Sequence, residues 1–319
     1  MALFLREEDV KQLLTMPLAL DRVTAAFRYL GTGEGIDLPR ERIRLPFVSQ
    51  QLMQAGVPAL NVIGYKHYTN SRDATRFLIY IYNAERGHLD AVIEGNMLGM
   101  MRTGAASGVA TRYLARPDAG VVGIFGTGWQ AVGQLRAIAL VRTLRQVKVF
   151  GRNPERMANF CERMRTELGV PVEPAATPEA TVRGSDIVVT ITSSSVPLFK
   201  AEHLDPGVHI NAAGANSLVR RELDEGTLVR ASMVVVDSVP AALREAGDLL
   251  PLLEKGRLHT RQLIELGAIV AGNAVGRATP TQITVFESQG LAIQDLVVGA
   301  ALVELARARG LGTELPLAM

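Results

Sequence analysis

The stretch Val121-Val122-Gly123-Ile124-Phe125-Gly126-Thr127-Gly128-Trp129-Gln130-Ala131 decides how this chain folds. The short apolar run 121–125 reads as a strand buried on both faces, and a helical pattern, 130–144, follows it at once. Between them stands GxGxxA, with Gly126 for a tight turn, Gly128 for close backbone approach and Ala131 for packing helix against strand. A pyrophosphate placed there would meet the free N–H groups and positive dipole end of the helix N-terminus. The motif therefore predicts a dinucleotide held by Gly126, Thr127, Gly128, Trp129, Gln130 and Ala131. The alternative is a turn that merely happens to be glycine-rich.

Downstream, β and α patterns keep alternating. Strands are expected at 147–150, 186–191, 209–213 and 233–237, with a helix at 154–168, which predicts an α/β fold with a doubly wound parallel sheet. The second strand runs into Gly151-Arg152-Asn153-Pro154-Glu155-Arg156, with no acid at its tip to bind a ribose 2′-hydroxyl. Arg152, Asn153 and Arg156 thus predict a 2′-phosphate and NADP(H) ahead of NAD(H), unless the two arginines are only surface charges. Thr192 and Ser193 follow a strand at the carboxyl edge of the sheet, where ligands bind in open α/β folds, and are further cofactor candidates. Asp237 also ends a strand and reads equally as a cap for the helix beyond it.

Upstream the texture differs. Residues 7–30 read as helix broken at Pro17, and β-like runs at 42–47, 59–65 and 77–82 predict a mainly antiparallel sheet. The segment 96–114, rich in small residues, reads as a closely packed helix in which Met97, Met100 and Met101 serve packing. The length, 319 residues, suits two domains. With 48% hydrophobic and 21% charged residues the chain is globular, and 34 basic against 32 acidic residues argue against a nucleic-acid partner. A single cysteine, Cys161, excludes an intrachain disulfide and a multi-cysteine zinc site; no metal is expected, and a cytoplasmic location is. The acidic start of the chain and the lack of an apolar run of membrane-spanning length predict neither signal peptide nor membrane partner. Only five of the 34 basic residues are lysines, so each one draws notice.

Three separated blocks, MRTGAASGVATRYLA at 101–115, VDSVPAALREAGDLL at 236–250 and TVFESQGLAIQD at 284–295, resemble the ornithine cyclodeaminase/μ-crystallin family, and the likeness runs over essentially the whole chain. The resemblance implies a Rossmann dinucleotide-binding domain, 117–284, inserted in an α+β substrate-binding and dimerisation domain, 1–116 plus 285–319. Family members include cyclodeaminases, alanine dehydrogenases and ketimine reductases, all of which handle an amino acid or its imine beside a nicotinamide. By the family pattern Arg42 in RIRLP and Arg102 in MRTGAAS match the arginines that bind the substrate carboxylate, and Lys66 in GYKHY matches the active-site lysine. Ser288 and Leu291 fall in the signature that approaches the nicotinamide.

The chemistry of these residue types agrees. Arginine's planar fork binds both oxygens of a carboxylate, and a lysine amid arginines has a lowered pKa suited to proton transfer. Arg42 could instead be a strand-edge charge beside Arg40 and Arg44, and Lys66 a solvated lysine; Arg102, in an otherwise small and apolar helix, would be costly to leave unpaired. One departure matters. In the segment Ile210-Asn211-Ala212-Ala213-Gly214-Ala215-Asn216 the chain has Asn216 where cyclodeaminases and alanine dehydrogenases of the family carry aspartate. Asparagine cannot exchange a proton at neutral pH. The expectation is therefore a homodimeric NAD(P)H-dependent reductase of a small imino acid, formed beforehand or from a 2-oxo acid; His67 and Asn216 are weaker substrate-site candidates, with His67 either a proton source in place of the missing acid or a structural histidine beside the lysine. The alternatives are an amino-acid cyclodeaminase and a non-catalytic, crystallin-like NADPH-binding protein.

Overall fold

The computed structural model describes residues 1–317. The chain divides into two compact units, one of Met1–Arg102 with the described residues from Leu291 onward, the other Thr103–Gly290. The end of the expected 285–319 segment, residues 318 and 319, lies outside the described residues.

The first unit opens with β1 (Ala2–Leu5), α1 (Glu7–Leu13) and α2 (Met16–Thr32). Pro17 does not mark the break itself. It sits in the first turn of α2, where its missing N–H has no intrahelical partner to lose, and Thr15 caps the helix by accepting from the Leu18 N–H. Five further strands and one two-residue strand follow: β2 (Ile36–Asp37), β3 (Glu41–Arg44), β4 (Val48–Val57), β5 (Val62–Ser71), β6 (Thr75–Asn83) and β7 (Leu89–Glu94). The strand expected from residue 59 starts later, because Pro58–Leu60 form a single 3-10 turn that Asn61 closes at a φ of 52°. Helix α3 (Asn96–Leu114) then begins in this unit and passes into the next at Arg102.

The second unit alternates strand and helix: β8 (Val121–Phe125), α4 (Trp129–Val141), β9 (Gln146–Phe150), α5 (Pro154–Leu168), β10 (Val172–Pro174), α6 (Pro178–Val182), β11 (Ile187–Thr190) and β12 (His209–Ala212). It continues with α7 (Glu225–Arg230), β13 (Met233–Val236), α8 (Val239–Glu245), α9 (Leu250–Glu254), β14 (Leu263–Glu265), α10 (Leu266–Val270) and β15 (Thr284–Glu287). The chain then returns to the first unit with α11 (Ala292–Arg309) and β16 (Thr313–Leu315).

In the first unit the strands form a mixed sheet in the order β16-β1-β7-β6-β5-β4-β2, with β3 also pairing β4. Only the β1–β7 pair is parallel among those recorded in it. In the second unit the order is β10-β9-β8-β11-β12-β15-β13-β14, and every recorded pair is parallel. Two buried clusters pack on its strands. Val188, Ile210 and Val285 belong to one, Ile187, Val189 and Val149 to the other, which is the two-faced burial a parallel sheet requires.

The unit boundaries fall at 102/103 and 290/291, not at the expected 116/117 and 284/285. The later part of α3 is tied into the second unit. A Cβ on Gly104 would lie 2.1 Å from the Gly133 carbonyl oxygen, Asn211 donates to Thr111 Oγ1 at 3.0 Å, and Arg142 donates to the Thr111 and Ala115 carbonyls. Likewise β15 is an interior strand of the parallel sheet, and the turn after it is held to Asp237. Among the described residues no helix is long and apolar enough to cross a membrane.

Candidate active site

In the first unit, three elements bring charged side chains to one face of the sheet. Lys66 lies on β5 and is 2% exposed, Arg102 on α3 and 7% exposed, and Asp295 in the first turn of α11 and fully buried. Lys66 Nζ donates to Asp295 Oδ1 at 2.8 Å, and Arg102 Nε donates to the same oxygen at 3.2 Å. Arg102 Nη1 also donates to Gln294 Oε1 at 3.2 Å, so two of its nitrogens are fixed. The carboxylate stands near the positive end of the α11 dipole, which favours its charge.

The surroundings explain why these elements meet. Glu7 on α1 accepts from the Asn96 and Met97 N–H groups and so anchors the start of α3. Asp37 accepts from the Ile293 N–H at 2.8 Å and does the same for α11. Gly64, two residues before Lys66, lets α11 lie against β5, since a Cβ there would come within 2.8 Å of a Leu296 methyl. Burial pushes the Lys66 amine down to about 8, aided by the charges of Arg102 and Arg40 and opposed by Asp295.

The strand register sorts the other expected residues. Lys66 faces Met53 across β4, and Tyr68 faces Gln51, which in turn faces Arg42 on β3. Because side chains alternate along a strand, Arg42 shares the Lys66 face but lies one pleat farther along. Arg40, not singled out from the sequence, is the more buried arginine at 7% exposed, and its guanidinium sits 6.0 Å from the Tyr68 ring centroid. His67 must be corrected as a proton source for this site. It follows Lys66 directly, so the pleat turns it to the opposite face, where its Nε2 lies 2.7 Å from Gln50 Nε2.

In the second unit the expected dinucleotide residues gather at the carboxyl edge of the parallel sheet. Gly126 adopts a φ of 114°, and a Cβ there would lie 2.5 Å from the Ile191 carbonyl oxygen, so only glycine fits. Gly128 leads into α4, a Cβ on it would meet nothing within 4 Å, and the helix start carries no side-chain cap. Ala131 is fully buried. Thr127 approaches Gly151, whose Cβ would be 3.1 Å from the threonine methyl, so the GxG turn and the β9 tip are neighbours. Arg152, Asn153 and Arg156 are exposed beyond that tip, with Asn153 capping α5 through the Arg156 N–H. An open approach to an uncapped helix start, with cations near the second strand, fits the phosphates of a dinucleotide.

Buried carboxylates organise the remaining loops of that edge. Glu222 accepts from the Thr192 N–H at 2.6 Å and the Gly214 N–H at 2.9 Å, while Asp248 accepts from the backbone of Glu222 and Leu223. Ser193 is exposed, and Asn216 is half-buried in the loop that Glu222 braces. Asp237 is not the cap of α8. Ser238 fills that position by accepting from the Ala241 N–H, and Asp237 instead accepts from the N–H groups of Gln289 and Gly290 and from Ser288 Oγ. Ser288 is thereby buried and fixed, and Leu291, also buried, precedes α11. Burial pushes Asp237 up to about 6 and Asp248 up to about 7. Among the described residues no group of three or more His, Cys, Asp or Glu is arranged to hold a metal.

The family model for the ornithine cyclodeaminase/mu-crystallin family matches residues 2–309, and the chain belongs to that family. It is 36% identical over 272 residues to a Delta(1)-pyrroline-2-carboxylate reductase from Bacillus cereus, covering 85% of this chain and 83% of that protein. Among solved structures it is similar to the Thermococcus litoralis Delta(1)-pyrroline-2-carboxylate reductase in complex with NADH and L-proline. That likeness has 31% identity and a TM-score of 0.94, over 98% of this chain and all of that one. It is also similar to an archaeal alanine dehydrogenase dimer with bound NAD, at 30% identity and a TM-score of 0.94 over 99% of each chain.

Proposed function

We propose that this protein is a nicotinamide-dependent oxidoreductase acting on C–N bonds, reducing a small 2-imino acid to the amino acid. The observation that carries the reading is the buried Lys66, held near neutral pH between Asp295 and two arginines, in a chain with Asn216 where a cyclodeaminase would need an acid. A proton must reach the substrate nitrogen, and Lys66 is the buried group placed to give it. Arg102, its guanidinium plane fixed by Asp295 and Gln294, serves the substrate carboxylate with its remaining N–H bonds, and Arg42 and Arg40 add positive charge on the same face. A dinucleotide held at the Gly126–Ala131 turn would supply hydride for the imine carbon. Lys66 in its ammonium form would give the nitrogen its proton. C=N becomes CH–NH, and Lys66 regains its proton from solvent.

The finer points belong to the same proposal. NADPH is preferred over NADH, because no acid stands at the β9 tip and Arg152 and Arg156 do. The protein works as a homodimer, which the apolar surface around the sheet edge supports: Ile43 and Phe47 are 61% and 75% exposed. A cytoplasmic location fits the single buried thiol of Cys161.

The test is oxidation of NADPH and NADH against Δ1-pyrroline-2-carboxylate and against 2-oxo acids with ammonia or methylamine. The reading expects net loss of reduced cofactor with at least one of them. A cyclodeaminase would convert ornithine with no net change in absorbance. Tight NADPH binding with no turnover of any imine would favour a crystallin-like protein.

A further inference from the structure

We infer that Asp295 is a positioning residue for Lys66, fixing its amine on the sheet face and keeping it a proton donor at neutral pH. This rests on the reading of Lys66 as the proton carrier. The geometry is that of one acceptor shared by two cations, with Asp295 Oδ1 lying 2.8 Å from Lys66 Nζ and 3.2 Å from Arg102 Nε. The second carboxylate oxygen is buried with no hydrogen-bond partner among the described residues, so this carboxylate is committed to the pair.

Of the other groups that face the amine, the charged ones work against its charge, and the Phe77 ring, whose face attracts a cation, favours it. Arg102 comes from α3, Arg40 from the segment before β3, and Arg42 lies one pleat along β3. From β6 comes the Phe77 ring, its centroid 5.2 Å from Nζ, and from β4 the buried Met53. Gly99 on α3 leaves room for the ammonium, since a Cβ there would stand 3.3 Å from Nζ. A buried ammonium facing arginines loses its proton readily, and Asp295 is the acid among these groups that opposes the loss. Without it a larger share of Lys66 would be neutral at pH 7, and its capacity to protonate a nitrogen would fall.

Lysine is rare enough in this chain for a direct test. Selective [13Cε]lysine labelling gives five resonances, and Lys66→Arg assigns the one of interest. In the wild type the Lys66 resonance is expected to titrate near 8. In Asp295→Asn it is expected to move down by about one pH unit or more, a tenfold change in proton affinity, and the alkaline limb of kcat for imine reduction moves with it. Asp295→Glu, which keeps the charge, is expected to hold both near their wild-type positions. An Asp295→Asn protein that binds NADH normally and leaves the resonance and the limb unmoved overturns the inference. If that variant does not fold, Asp295→Glu decides, and a displaced limb despite the retained charge overturns it. Failure of the wild type to reduce any imine would defeat the functional reading instead, while the resonance still reports on Asp295.

Discussion

Lys66 and Arg102 are legible in the sequence through the family pattern, and each also breaks a local one, Lys66 as a rare lysine and Arg102 as a charge in a helix of small residues. The same logic would have found Asp295. It stands with Gln294 in AIQDLVVGAALV, an otherwise apolar stretch, and a buried charge in such a place needs an opposite charge elsewhere. Arg40 was harder to find, because Arg40, Arg42 and Arg44 repeat with the strand period and only packing decides which is covered. His67 shows the opposite error, since adjacency in a strand means opposite faces. Lys66→Met is expected to lower kcat for imine reduction by about 10²-fold or more while leaving NADH binding within twofold, as steady-state kinetics and calorimetric titration would show. A variant with wild-type kcat would refute the assigned role. Arg152→Ala is expected to raise KM for NADPH more than for NADH, and equal effects would remove the 2′-phosphate assignment.

Elements of the second unit were legible because fully buried parallel strands appear as short runs of valine and isoleucine, and GxGxxA marks where the first one turns into a helix. In the first unit β4 is hidden in the sequence. Its sequence, VSQQLMQAGV, alternates Gln51, Met53, Ala55 and Val57 on the buried side, and a buried glutamine masks the period of two. The turn at Gly126 gives a direct test at this scale. Gly126→Ala would combine a φ of 114° with a Cβ against the Ile191 carbonyl. It is expected to weaken dinucleotide binding by roughly tenfold or more, with a stability loss of about 1–3 kcal/mol measured by denaturant titration. Unchanged binding would mean that this turn does not hold the cofactor.

For the molecule as a whole, buried carboxylates set the response to pH. Asp237 and Asp248 are pushed up to about 6 and about 7, and Glu287, fully buried beside Asp248 and Glu222, is raised well above the usual range. A carboxyl whose folded pKa lies above its unfolded value stabilises the fold at low pH and loses that contribution as pH rises through the folded pKa. His209, pushed down to about 3 by burial, acts in the opposite sense below about 6.5. Lys66, lowered to about 8, also acts in the opposite sense above about pH 7, but Asp237, Asp248, Glu287 and the likewise raised Glu222 together outweigh it and the histidine between pH 6 and 8, so Tm is expected to fall across that window. Glu287→Gln, which replaces the titrating carboxyl with a neutral amide of the same shape, is expected to flatten the slope and raise Tm at pH 8; a Tm that climbs from pH 6 to 8 in the wild type would contradict this. Function at this scale comes down to whether cofactor is consumed. The most direct measurement is the absorbance of NADPH during turnover of Δ1-pyrroline-2-carboxylate by the purified protein. The account predicts a loss of NADPH matched by the amino acid formed, and no loss with any imino acid, despite bound cofactor, would contradict it.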